Sequence, residues 1–171
     1  MSRLDEAFKF MKTKHGIQER ATGGYYFEHP RRVASYVLMY KDSYRIEDIV
    51  IIALLHDVIE DTNATYEQVK NAFGEMIADT VMELTSNPLD VKEQGKKEYL
   101  ADKMVNMSSY ALVVKLCDRL DNVSDLHKMS DGFRERYTKE TKYILDKIDE
   151  EREVITITHH RIIHQIRLKL E

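Results

Sequence analysis

Tryptophan is absent from this 171-residue chain, cysteine occurs once, proline twice and glycine six times. The lone Cys117 excludes an internal disulfide and fits a reducing compartment. No apolar run approaches the roughly 18–20 residues that a membrane span needs. The polar start Met1-Ser2-Arg3-Leu4-Asp5-Glu6 is unlike a signal peptide. A basic excess is also missing: Asp and Glu number 30 against 26 Lys and Arg, for a net charge of -4. That balance argues against a nucleic-acid binder. It leaves room for a small anionic substrate held by a few local cations. A cytoplasmic protein without a membrane anchor is the expectation.

With so few prolines and glycines, helical periodicity dominates. Leu4, Ala7, Phe8 and Met11 mark a first amphipathic helix, and Gly16, Gly23 and Gly24 then make a loop. Pro30 suits the first position of a second helix, with Val33, Val37 and Tyr40 inward. Ile46, Ile49, Val50, Ala53 and Leu54 predict a third, ending near Asp61. Thr65 and Gln68 read as a capping box. The polar stretch from Ser86 to Lys97, with Pro88 and Gly95, reads as a loop. Helices follow over about 97–105 and 109–127, then from Arg134 onward. The isoleucine-rich C-terminal end is expected to pack on the chain's own core. No strand, repeat or linker is evident, so residues 1–171 are read as one all-α domain.

The chemistry-bearing residues are concentrated. In Leu54-Leu55-His56-Asp57-Val58-Ile59-Glu60-Asp61-Thr62, an imidazole and three carboxylates follow an apolar run. On a continuous helix His56 would line up with Glu60, and Asp57 with Asp61. Acidic groups at a helix C-terminus oppose the macrodipole, which favours a functional reason for them. His29 and Asp118, in two other segments, complete a set of two imidazoles and two carboxylates. That set suits Mn, Fe, Co or Zn, and its richness in oxygen tilts the expectation toward Mn. Cys117 faces another direction on its helix and is not expected to be a ligand.

Four segments together resemble a known family, the HD-domain phosphohydrolases, and within it the hydrolase domain of the RelA/SpoT homologues. They are His15-Gly16-Ile17-Gln18-Glu19-Arg20-Ala21-Thr22-Gly23, Tyr25-Tyr26-Phe27-Glu28-His29-Pro30, Ala53 to Thr62, and Val114-Lys115-Leu116-Cys117-Asp118-Arg119-Leu120-Asp121-Asn122. The resemblance implies an HD-domain helical bundle. It also implies metal-dependent removal of the 3′ diphosphate of guanosine 3′,5′-bis(diphosphate), the alarmone ppGpp, as pyrophosphate. By the same resemblance His29, His56, Asp57 and Asp118 are metal ligands, with Mn2+ usual, and Glu60 and Asp61 handle the attacking water. Arg20 and Asn122 are substrate contacts, and Lys115 and Arg119 are candidates to help. Tyr25, Tyr26, Tyr137 and Tyr143 are candidate stacking surfaces for a purine.

Departures from the family pattern fall on substrate contacts. Ala21 stands where a basic residue is frequent, and Asp121 adds negative charge near the expected substrate. Leu145 takes the place of a tyrosine, with Tyr143 out of register. A phosphohydrolase acting on NADPH or another nucleotide is therefore the alternative enzyme. A nucleotide-binding module with a retained metal site is the non-enzymatic one.

Overall fold

Ser2 starts the first helix. Its hydroxyl accepts the Asp5 amide while the Asp5 carboxylate accepts the Ser2 amide, so two orphan helix donors are satisfied at once. In the computed structural model, which describes residues 2–171, this helix (α1) spans Arg3–His15 and buries Ala7 and Met11. The following loop closes through Gly23 and Gly24, at φ 89° and 81°, a left-handed conformation that side chains resist. A single bridge pairs Glu19 with Tyr25 across it. Helix α2 spans Glu28–Tyr40. It begins before Pro30 rather than at it, and Pro30 still lies in the first turn, where its missing amide costs little.

Helix α3, Ile46–Leu55, buries every residue from Ile49 to Leu55, the signature of a central helix. Helices α1, α2 and a later helix over Glu75–Leu84 pack on it. It does not continue to Asp61 as the sequence suggests. It stops at His56, and a short α4 spans Val58–Asp61. Helix α5, Tyr66–Phe73, carries the Thr65–Gln68 capping box, and Gly74 at φ 95° separates it from α6, Glu75–Leu84. These elements form one compact unit, which runs to Thr85.

A second compact unit spans Ser86–Glu171. Its first element corrects the sequence reading: Pro88–Gln94 is a helix, α7, not a loop. The Asn87 side chain caps the Leu89 amide and Pro88 sits at the opening position, so this proline starts a helix. No residue of α7 is buried, which is why no apolar period announced it. Helix α8 is Lys96–Asn106, α9 is Ser109–Ser124, and a 3-10 turn spans Leu126–Lys128. Helices α10, Asp131–Glu151, and α11, Ile157–Lys169, are separated where the β-branched run occurs, and Thr156 caps α11. Helix α10 packs on α8 and α11 on α9. Ile162, Ile163 and Ile166 are buried, so the isoleucine-rich end does pack within its own unit. The fold is all-α, with no strand among the described residues.

Candidate metal and hydrolase site

The break between α3 and α4 shapes the site. His56 keeps near-helical angles, but Asp57 sits at φ -107°, ψ -2°, in the sparsely populated bridge region. The Asp61 amide still reaches the Asp57 carbonyl, at 2.8 Å. His56 Nδ1 lies 2.7 Å from the Ala53 carbonyl oxygen. A carbonyl only accepts, so Nδ1 carries the hydrogen, and in the neutral ring the Nε2 lone pair is the one available for ligation. That Nε2 stands 2.9 Å from Asp57 Oδ2, and His29 Nε2 stands 3.7 Å from the same oxygen. Both imidazoles are almost fully buried, His29 at 2% exposure and His56 at 1%. A nitrogen lone pair facing a carboxylate oxygen at this distance repels it unless a proton or a cation lies between them. Two buried imidazole nitrogens converging on one carboxylate oxygen fit a divalent cation.

Tyr26 joins this cluster to the second carboxylate. Its hydroxyl oxygen lies 2.6 Å from Asp57 Oδ2 and 2.9 Å from Asp61 Oδ2, sharing its hydrogen between them. Asp61 lies at the rim with its outer side exposed. Partial burial of its carboxylate, with Asp57 close by, nevertheless pushes its pKa up, against the opposing effect of the Tyr26 hydrogen bond. Glu60 is exposed beside it. The Tyr26 phenol is driven far above its ordinary pKa by burial and by the two carboxylates, so it keeps its proton and can donate it to them. His15 stacks on the Tyr26 ring at 4.6 Å, and His15 Nδ1 pairs with Gln18 at 2.9 Å.

In the second unit, helix α9 organises its own cluster around Asp118. Lys115 Nζ lies 3.0 Å from Asp118 Oδ2, and the Asn122 amide donates to Asp118 Oδ1 at 2.7 Å. Both candidate substrate contacts therefore also grip the carboxylate. Arg119 is placed otherwise than the sequence suggests. It is 4% exposed, and its nitrogens meet Thr141 at 2.8 Å and Glu140 at 3.4 Å. Its guanidinium lies over the Tyr137 ring, 5.0 Å from the centroid. These contacts make it a tie between α9 and α10. Asp121 is 2% exposed, so its carboxyl group is buried rather than presented at a surface. Burial pushes the Cys117 thiol up, which keeps it protonated and unsuited to ligation.

The aromatic candidates divide. Tyr143 donates to Glu98 at 2.6 Å under the Lys97 ammonium, and Tyr137 supports Arg119. Tyr25, half exposed, stacks on Phe27 at 5.5 Å. Arg20 lies in the loop, its amide bonded to the Gly24 carbonyl. Tyr26, offered as a base platform, is found between two carboxylates. Its position just ahead of His29, in a segment that meets the His56-Asp57 doublet, was the available signal.

The HD domain family matches residues 7–153. The chain is similar to the guanosine-3′,5′-bis(diphosphate) 3′-pyrophosphohydrolase of Aquifex aeolicus, 36% identical over 150 residues, covering 82% of this chain and 20% of that protein. It is also similar to the bifunctional (p)ppGpp synthase/hydrolase SpoT of Escherichia coli, 32% identical over all of this chain and 23% of that protein. The chain thus spans about a fifth of the length of these relatives. A solved structure described as a metazoan ortholog of SpoT that hydrolyses ppGpp aligns with a TM-score of 0.77 at 26% identity, covering 96% of each chain. A Listeria monocytogenes protein shares the fold, with a TM-score of 0.66 over 87% of this chain and 99% of that one at 21% identity. By the match over residues 7–153, the chain belongs to the HD domain family.

Proposed function

We propose that this protein is a metal-dependent phosphohydrolase that removes the 3′ diphosphate of ppGpp as pyrophosphate. The observation that carries the reaction class is the turn at His56 to Asp61. A buried imidazole and a half-buried carboxylate there adjoin a second carboxylate, both acids held by Tyr26. The substrate is inferred from relatives that are named for this activity.

His29, His56, Asp57 and Asp118 would hold the metal, and manganese suits their nitrogen and oxygen donors. When bound, a divalent cation lowers the pKa of water and draws charge from a phosphoryl oxygen. Asp61, with Glu60 beside it, takes the proton of the attacking water. Two neighbouring carboxylates titrate as a set, so the base is the pair rather than one member. Water adds its oxygen to the 3′ phosphorus, the bond from the ribose 3′ oxygen to that phosphorus breaks, the proton taken by the pair goes to that 3′ oxygen, and pyrophosphate and a nucleoside 5′-diphosphate leave. Arg20 would neutralise phosphate charge. Lys115 and Asn122 hold Asp118 in place and can reach substrate oxygens in turn. Arg119 serves packing.

The test supplies Mn2+ with ppGpp, pppGpp, NADPH or common nucleotides, and follows pyrophosphate and inorganic phosphate separately. Pyrophosphate from ppGpp is expected. Phosphate from another nucleotide, with ppGpp untouched, overturns the substrate. Glu60→Gln combined with Asp61→Asn should abolish turnover while metal stays bound. A double variant with near wild-type turnover removes the pair from the mechanism.

A further inference from the structure

A phenol hydroxyl shared by two carboxylates is an unusual use of a tyrosine. Tyr26 Oη lies 2.6 Å from Asp57 and 2.9 Å from Asp61. These two acids have different jobs in the function proposed above, one as a ligand and one on the water. Their backbones are joined by the hydrogen bond from the Asp61 amide to the Asp57 carbonyl, but that bond leaves both side-chain torsions free. Mutual repulsion between the carboxylates would swing them apart, and a donor placed between them opposes that motion.

The tyrosine itself is well fixed. Its amide donates to the Gln18 carbonyl at 2.7 Å. One ring face stacks on His15 at 4.6 Å and 28°, and the ring meets His29 edge-on at 5.8 Å and 73°. His15 is in turn anchored by Gln18 at 2.9 Å. The hydroxyl therefore has little freedom to leave the carboxylates.

We propose that Tyr26 is a positioning residue, whose hydroxyl sets the distance and orientation of Asp57 relative to Asp61 and so couples metal holding to water handling. It acts through the two acids and touches no reacting atom. This rests on the assignment of Asp57 as a ligand and Asp61 as part of the water-handling pair. Groups that orient a ligand typically change metal affinity or activity by about 10–100-fold when removed.

Tyr26→Phe deletes only the hydroxyl and keeps the ring packing against His15 and His29. Two readouts are taken on the full chain. Calorimetry of Mn2+ binding to metal-free protein needs no substrate, and the variant is expected to bind at least about tenfold more weakly. Steady-state kinetics at saturating Mn2+ is expected to show kcat reduced about tenfold or more with KM within twofold, because the hydroxyl contacts no substrate. Mn2+ affinity and kcat both within twofold of wild type overturn the proposal, and so does a loss confined to KM. If the wild-type protein leaves ppGpp intact, the substrate reading fails. The calorimetric comparison still decides the role of Tyr26.

Discussion

Asp61 shows what a proposed water-handling carboxylate costs at the scale of one side chain. Partial burial beside Asp57 raises its pKa, so folding favours the protonated form. A group whose folded pKa lies above its unfolded value contributes stability at low pH and loses it as pH rises through the folded pKa. In metal-free protein at neutral pH the ionised Asp61 therefore works against the fold. Asp61→Asn should raise the melting temperature of the metal-free protein at pH 7. The gain should shrink to nothing as pH falls below the ordinary carboxylate range, where wild-type Asp61 is already neutral. Thermal scans across that range check it, and a gain that persists unchanged into acid would refute the assignment. The sequence singled out His56, Asp57 and Asp61 because a charge cluster after an apolar run is costly to keep folded, and His29 through the family resemblance; the structure brings the four together around Tyr26. The role of Tyr26 was not legible, because nothing in a tyrosine's spacing tells a hydrogen-bond donor from a stacking surface.

At the scale of elements, the sequence located helices by their apolar faces and failed where no such face exists. α7 buries nothing, so only its Asn87-Pro88 opening could have signalled it. The α3–α4 break was invisible for the opposite reason, since the apolar period runs through Val58, which is fully buried. The interruption lies in the backbone of Asp57 alone. The break changes which arguments hold: Asp57 and Asp61 are neighbours through a turn and a tyrosine, not through a continuous helical face. Arg119, one residue after the proposed ligand Asp118, was offered by the sequence as a helper at the substrate phosphates. Its surroundings assign it to the α9–α10 junction instead, with the guanidinium on Thr141 and Glu140 and over Tyr137. Arg119→Ala would strand Glu140, at 13% side-chain exposure, and remove the support of the Tyr137 ring. Breaking a pair this buried costs about 3 kcal/mol, read as a lower urea midpoint with an unchanged slope. KM measured well below the unfolding transition should move little. A large KM effect with intact stability would return Arg119 to the substrate.

At the scale of the whole molecule, the proposed ligands are separated by long stretches of sequence, from His29 through His56 and Asp57 to Asp118. A ligand that binds only the native chain stabilises it by about 2.7 kcal/mol at a hundredfold excess over its dissociation constant. For a chain of this size each kcal/mol moves the melting temperature by roughly 2–4 °C. Mn2+ should therefore raise the melting temperature by about 5–10 °C at such an excess, and EDTA should reverse the rise. His56→Ala removes an imidazole from the cluster around Asp57 and should erase the shift. Asp118→Ala gives the more demanding comparison, because Lys115 and Asn122 already hold that carboxylate on its own helix. If Asp118 is a ligand, its variant loses the Mn2+-dependent shift as His56→Ala does. If Asp118 only anchors Lys115 and Asn122, its variant melts lower than wild type with and without metal, and the difference between the two conditions survives. Four melting curves, with and without Mn2+ for Asp118→Ala and for wild type, separate a ligand from a local scaffold without any substrate present.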